Sequence, residues 1–235
     1  MPIRVYLAGP DVFLPDPGAW IERKKAICAA FGLHGVSPLD DLPDEPRSWT
    51  ILPDWHRIAL RNEAHIRSAD AVVANLTPFR GPSADVGTVY EVGFARALGL
   101  RLFGYATVTT SLLDRTIAAL RGTARQAADG SWSDADGLQI EQFGLFDNLM
   151  IEGGITGSGG TLIQQDKDRW HDLSVFERCI QAAAAAMFGG DRPRRLEPEQ
   201  SDHTVVDPPR IVVACADSTP PLPCTSASSA SSTCR

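Results

Sequence analysis

Two carboxylates six positions apart, Asp85 and Glu91, lie in the stretch GPSADVGTVYEVGFARALG of residues 81–99. Glu91 is flanked by apolar and small residues where a helix is expected to begin. A carboxylate in such surroundings can act as a nucleophile towards an electrophilic carbon. It can also be structural, because Thr88 and Glu91 fit the T-x-x-E capping box, in which the Glu side chain returns to the backbone N–H of the N-cap residue. Asp85 could likewise accept turn N–H groups, so the residue types leave both interpretations open.

Three glycines, Gly81, Gly87 and Gly93, accompany these carboxylates. Glycine allows a backbone to approach a ligand closely, and at Gly93 it can equally serve tight packing of a helix on a sheet. No G-x-G-x-x-G follows the first predicted strand, and the chain has no P-loop motif. We therefore expect no cofactor.

The composition favours small-molecule chemistry over nucleic-acid binding. The chain has 235 residues, of which 43% are hydrophobic, enough for one sizeable core or two small ones. Its 22 Lys and Arg against 29 Asp and Glu give a formal charge of −7, and no basic cluster stands out in the first 190 residues. Binding to a nucleic-acid backbone rests on clustered cations, so we expect no nucleic-acid partner.

The cysteines and histidines predict neither a disulfide framework nor a metal site. The five cysteines are scattered and form no CxxC pair, and the five histidines show no metal-ligand spacing. No apolar run approaches the roughly 18 residues of a membrane span, and the opening MPIRVYLAGPDVF resembles a strand more than a signal peptide. These features predict a cytoplasmic protein without a membrane partner.

Apolar runs alternate with amphipathic stretches along the first half of the chain. This alternation predicts an α/β fold, with a parallel sheet flanked by helices. The predicted strands are 3–8, 34–39, 69–76 and 101–107, and the predicted helices include 17–31, 54–68 with Asp54 as N-cap, and 172–190. Ligands of such folds lie at the carboxyl ends of the strands, so residues 6–13 and 75–85 are the candidate site segments.

The second half of the chain gives weaker patterns. Residues 111–122 fit a helix, residues 126–137 an exposed polar loop, and residues 143–154 a turn leading into a short apolar segment. The Pro- and Ser-rich residues 191–235 predict a disordered tail, in which RIVVACA is the one segment that could dock as a strand. We expect a single catalytic domain at residues 1–190 and this tail after it.

Three separated motifs resemble those of the nucleoside 2-deoxyribosyltransferases. They are VYLAGPDVF near the amino terminus, SADAVVANLTPFRGPSADVGTVYEVGFARALG in the middle and FGLFDNLM later, and the resemblance spans about residues 3–188. It implies a flavodoxin-like (Rossmann-like) domain that exchanges the base of a 2'-deoxynucleoside for a free nucleobase, in a homo-oligomer. The segment NLTPFRG together with Asn62 is closer to the purine-preferring members.

The resemblance also implies roles for individual residues. Glu91 would attack the anomeric carbon, and a second base would then capture the covalent intermediate with retention of configuration. Asp85 would bind sugar hydroxyls, Tyr6 would hold the Glu91 carboxylate, and Asn62 would handle the leaving base. Because an amide is not a general acid, Asp85 or water stays open as the proton source. The remaining substrate-binding candidates are Gly9, Phe13 against the base, and Asn148 with Met150, where Asn148 comes from the neighbouring subunit.

Each of these residues also has a plain structural interpretation. Tyr6 could be a core tyrosine, Asn62 an exposed helix residue, Asn148 a turn former and Phe13 a residue that packs its loop.

Two other functions compete with base transfer. A hydrolase of 2'-deoxynucleoside 5'-monophosphates would need a phosphate pocket, for which Arg80 and Ser83 are the candidates. A nucleotide-binding or signalling module of the same fold would have lost the nucleophile, whereas Glu91 is present.

Overall fold

A computed structural model describes residues 2–189 of the chain. Its strands are β1 (Ile3–Ala8), β2 (Leu33–Val36), β3 (Ala71–Asn75), β4 (Arg101–Ala106), β5 (Arg125–Gln126), β6 (Trp132–Ser133) and β7 (Leu162–Gln164). Its α-helices are α1 (Pro17–Ala30), α2 (Asp54–Arg67), α3 (Val86–Ala97), α4 (Leu112–Ala119), α5 (Leu149–Gly157) and α6 (Ser174–Gly189), with short 3-10 helices at Pro10–Phe13 and Arg47–Ile51.

Five strands form one parallel sheet in the order β2-β1-β3-β4-β7. This is the flavodoxin-like strand order, and it confirms the predicted α/β class. The central strand β3 is buried along its whole length, as expected for a parallel strand covered by helices on both faces.

The two faces of the sheet pack against different helices. Alternate residues of β1 take part in different cores, because side chains alternate across a strand. Val5 and Leu7 belong to the core with α1 and α6. Tyr6 and Ala8 belong to the core with α2, α3 and α5, so Tyr6 faces the layer that carries both Asn62 and Glu91.

Several predicted elements differ from the structure. The second strand is Leu33–Val36 instead of 34–39, and Pro53 is the N-cap of α2, so Asp54 is its first helical residue and not its cap. The predicted polar loop overlaps the end of β5 and includes β6, and these two strands pair as an antiparallel hairpin. The apolar segment after residue 148 forms α5, and the edge strand β7 was not predicted.

None of the α-helices within residues 2–189 combines the length and the apolarity that a bilayer crossing requires. The predicted domain boundary at residue 190, the disordered tail and the RIVVACA strand lie outside the described residues, so they stay predictions.

Candidate active site

The Glu91 carboxylate receives two hydrogen bonds from distant parts of the chain. The Tyr6 hydroxyl donates to Glu91 Oε1 at 2.6 Å, and Asn62 Nδ2 donates to the same oxygen at 3.2 Å. Tyr6 lies in the middle of β1, Asn62 on α2 and Glu91 in the second turn of α3. Three elements that are far apart in sequence therefore hold one carboxylate oxygen, while Oε2 receives no hydrogen bond from residues 2–189.

The environment of Glu91 favours its protonated form. Burial raises the pKa of Glu91 from 4.5 to about 7, and the nearby Asp85 carboxylate adds to this rise. The hydrogen bonds from Tyr6 and Asn62 act in the opposite direction, because they stabilise the charged form. The pKa of Tyr6 is raised well above 10, mainly by burial and then by the charge of Glu91. Tyr6 therefore stays a donor at physiological pH.

The capping-box interpretation of Glu91 is wrong. Helix α3 begins after Asp85, whose Oδ2 accepts hydrogen bonds from Thr88 N at 3.0 Å and from Thr88 Oγ1 at 3.1 Å. Thr88 is thus the third helical residue and not the N-cap. Because the cap lies three residues earlier than the T-x-x-E spacing suggested, Glu91 falls in the second turn, beyond the free N–H groups of the helix start. Asp85 does have the loop-carboxylate role that was one of its two interpretations.

The oxygen of the Asn62 amide has no partner within the described part of the chain. The amide nitrogen donates to Glu91, whereas the buried Oδ1 accepts no hydrogen bond from residues 2–189. A buried unsatisfied acceptor is costly, so such an atom in a site is suited to accept a hydrogen bond from a ligand.

Gly9 permits the close approach of two segments at the carboxyl edge of the sheet. A Cβ at Gly9 would lie 2.8 Å from Asn75 Cβ and 2.7 Å from Asp11 Oδ2. The turn after β1 is thereby held against the end of β3. Nearby, the ring of Phe13 is 57% exposed and stacks on Phe79 with centroids 5.4 Å apart. Phe13 therefore packs within its loop, as its structural interpretation predicts. Much of the side chain is nevertheless exposed and can contact a ligand.

Asn148 and Met150 lie on another side of α3 from Glu91. Asn148 caps α5, since its Oδ1 accepts from Met150 N at 3.0 Å and its Nδ2 donates to Glu141 Oε2 at 2.7 Å. Met150, 74% exposed, lines an apolar groove between α3 and α5. Val86 on α3 faces this groove, and at about 100° per residue Glu91 points to a different face of the helix. Within one chain, Asn148 and Glu91 are not joined by a hydrogen bond between described residues.

One of the two phosphate candidates is already engaged. The Ser83 hydroxyl donates to the carboxylate of Asp147, which is fully buried and also accepts from Ala84 N at 3.0 Å. Arg115 lies 3.5 Å from the same carboxylate. This network attaches the loop before α3 to the segment before α5, so the Ser83 hydroxyl belongs to the fold.

A buried ion pair behind the site was missed by sequence reasoning. Lys24 Nζ lies 2.8 Å from Asp11 Oδ2, and both side chains are almost completely buried. Asn75 Nδ2 donates to the other oxygen of Asp11 at 3.2 Å. The spacing in the sequence could have indicated that Lys24 is buried. It lies on α1 three residues after Ile21 and four before Cys28, on the same buried face of the helix. No group of three or more His, Cys, Asp or Glu side chains that could hold a metal ion occurs within residues 2–189.

Comparisons with known proteins identify the family. Residues 5–150 match the sequence profile described as nucleoside 2-deoxyribosyltransferase. The uncharacterized protein C191.05c of Schizosaccharomyces pombe is 32% identical over 169 residues, which are 66% of this chain and 78% of the relative. The solved structure of a 2-desoxiribosyltransferase from Leishmania mexicana is 27% identical with a TM-score of 0.51, covering 77% of this chain and 98% of the other. The chain belongs to the nucleoside 2-deoxyribosyltransferase family.

Proposed function

We propose that this protein transfers the 2-deoxyribosyl group between nucleobases of 2'-deoxynucleosides through a covalent intermediate on Glu91, with retention of configuration. The observation that carries the proposal is the arrangement of the Glu91 carboxylate. Tyr6 and Asn62 both donate to Oε1 and thereby orient the group, while Oε2 has no protein donor among the described residues. A fixed carboxylate with one unencumbered oxygen is suited to attack a carbon centre.

The chemistry follows in two displacements. In the first, Glu91 Oε2 forms a bond to the anomeric carbon and the C–N glycosidic bond breaks. The electron pair of that bond goes to the base nitrogen, which takes up a proton from Asp85 or from water. In the second, a nitrogen of the incoming base attacks the same carbon, loses its proton and releases the carboxylate. Two inversions give net retention. The sugar passes through oxocarbenium-like states, which the negative charge of Glu91 stabilises.

Asp85 and Asn62 supply the polar contacts of the proposed site. Asp85 uses only Oδ2 for capping α3, so its other oxygen can accept from a sugar hydroxyl. Asn62 Oδ1 is buried and has no partner among residues 2–189, so it can accept an N–H of the leaving base. Phe13, Gly9 and the carboxyl edge of β1 would border the base.

The proposal includes a homo-oligomer in which Asn148 completes a neighbouring site. Support comes from the position of Asn148 and Met150 beside an apolar groove, on a different side of α3 from Glu91. Within one chain, Asn148 and Met150 lie on the wrong side of α3 to contact a sugar bound at Glu91. In an oligomer, a neighbouring subunit could place its Asn148 and Met150 against that sugar. A fully active monomer in solution would refute this part.

The test is to incubate the purified protein with 2'-deoxyinosine and adenine and to separate the products by chromatography. Formation of 2'-deoxyadenosine together with hypoxanthine is the expected result, and E91Q should form neither. Mass spectrometry of the peptide containing Glu91 should show one added deoxyribosyl group when the acceptor base is omitted. Hypoxanthine without a new nucleoside would overturn transfer, and faster release from the 5'-monophosphate would instead support the hydrolase.

A further inference from the structure

A cleft of about 380 Å³ at the carboxyl edge of the sheet combines aromatic rings with two arginines. It is lined by Phe13, Phe79, Arg80, Arg169 and Trp170, together with neighbouring apolar residues. The volume lies within the range of small-molecule pockets. Phe13 follows β1, which carries Tyr6, and the Phe79–Arg80 segment lies between β3 and Asp85, so the cleft is at the edge where ligands of such sheets bind.

The rings form a platform with Arg80 above it. Phe13 and Phe79 are stacked at an interplanar angle of 15°, and Trp170 meets Phe79 edge-on with centroids 6.0 Å apart. The Arg80 guanidinium carbon lies 5.1 Å from the Phe13 centroid and 4.6 Å from that of Phe79. The attraction between cation and ring holds the guanidinium beside exposed aromatic surface.

The two arginines have no carboxylate partner within the described part of the chain. Of the ion pairs formed by residues 2–189, none involves Arg80 or Arg169. Arg80 also has a φ of +56°, a conformation that few residues other than glycine adopt. Because no carboxylate among the described residues pairs with Arg80, its N–H donors are available to a ligand that stacks on the rings.

We propose that this cleft reads the edge of the nucleobase and that Arg80 makes the protein prefer 6-oxopurines to 6-aminopurines. The inference rests on the proposed base transfer and names its preferred bases. A guanidinium has five N–H donors and no acceptor. Hypoxanthine and guanine present two acceptors, O6 and N7, on one edge, which a guanidinium can contact together, whereas adenine presents the N6 amino donor beside N7. Arg80 thus matches hypoxanthine and guanine and opposes adenine.

The cleft is better suited to a base than to a phosphate. Stacked rings give a planar ligand a large contact surface, and a phosphate would leave them uncovered. The nearby Ser83 hydroxyl, which a phosphate could have used, is bonded to Asp147. Arg169 adds positive charge to the cleft, which favours the electron-rich carbonyl edge.

The experiment is an acceptor competition. The protein receives 2'-deoxyguanosine as donor with equal concentrations of hypoxanthine and adenine, and the ratio of 2'-deoxyinosine to 2'-deoxyadenosine measures the preference. We expect a ratio of about ten or more in the wild type, because a matched bidentate contact discriminates bases by this order. The variant R80M should bring the ratio close to one. R121M is the matched control, since Arg121 is also exposed with a positive φ of 49° but does not line this cleft.

A binding measurement keeps the inference separate from the proposed function. Calorimetry of hypoxanthine and adenine with the wild type should show about tenfold tighter binding of hypoxanthine, and R80M should lose this difference. Equal affinities, or no binding of either base, would overturn the inference whether or not transfer occurs. Transfer with an unchanged product ratio in R80M would overturn it as well. A complete absence of transfer, with the binding preference intact, would refute only base transfer. A ratio that changes equally in R121M would assign the effect to surface charge and overturn the role of Arg80.

Discussion

Replacing Glu91 by Gln is expected to stabilise the folded protein above neutral pH while it abolishes the proposed base transfer. The rise of the pKa of Glu91 from 4.5 to about 7 means that the folded state disfavours the charged carboxylate. At about 1.4 kcal/mol per pKa unit, this penalty is about 3 kcal/mol. A glutamine is uncharged, and its oxygen can still accept from Tyr6 and Asn62, so E91Q should remove the penalty and keep both bonds.

The pH window of this effect follows from the direction of the shift. Because the pKa is higher in the folded state, the folded protein holds the Glu91 proton between pH 4.5 and about 7, whereas the unfolded chain has released it. The stability of the wild type therefore falls as the pH rises through this window. The difference between E91Q and the wild type should be small below pH 4.5, grow up to about pH 7, and then level off near 3 kcal/mol.

The assay is urea unfolding of both proteins at a series of pH values, followed by circular dichroism. E177Q serves as a control, because Glu177 is an exposed glutamate in the first turn of α6, where the loss of its charge should lower the free energy of unfolding by no more than about 1 kcal/mol and should give no gain above neutral pH. A loss of stability in E91Q at pH 8 would refute the reasoning, because it would show that the charged carboxylate stabilises the fold. An equal gain at every pH would show that the effect does not come from ionisation.

Three further substitutions test the contacts around the site. Y6F removes a donor that lowers the pKa of Glu91, so the acid limb of the kcat/KM profile should move to higher pH; an unmoved limb would contradict the contact. D147A removes a fully buried carboxylate that accepts from several donors, so the free energy of unfolding measured in urea should fall by about 3 kcal/mol. A fall of less than about 1 kcal/mol would argue against this network. K24M leaves the buried Asp11 carboxylate without its cation and should cost about 3–5 kcal/mol. Partial recovery is expected when K24M is combined with D11N, and an additive loss would count against a direct ion pair.

The elements with long, uniform patterns were predictable from the sequence. Residues 71–74 (AVVA) are apolar without interruption, and they form most of the fully buried β3. Helix α1 starts with Pro17 behind the Asp16 cap and is followed by Gly32 with a φ of +76°, which are recognisable start and stop signals. In these segments, local preferences and tertiary packing agree.

Other elements depend on packing that local sequence does not reveal. Helix α5 contains three glycines, which disfavour a helix, yet it forms because Asn148 caps it and Ile151 and Ile155 are buried against α3 and the sheet. Strand β7 has three residues, too few to show a periodicity, and it pairs with β4 at the edge of the sheet.

The sequence by itself determined the fold class, the family motifs and the presence of Glu91, Asp85 and Tyr6 in them. Only the tertiary structure decided that Glu91 is no capping residue, that Tyr6 and Asn62 donate to one of its oxygens, and that Arg80 lies over an aromatic cleft. The physical reason is sequence distance: Tyr6 and Glu91 are 85 residues apart, and their contact exists because β1 and α3 pack in one layer. Burial in this layer raises the pKa of the Glu91 carboxylate, and the spacing of neighbouring residues in the sequence cannot predict that burial.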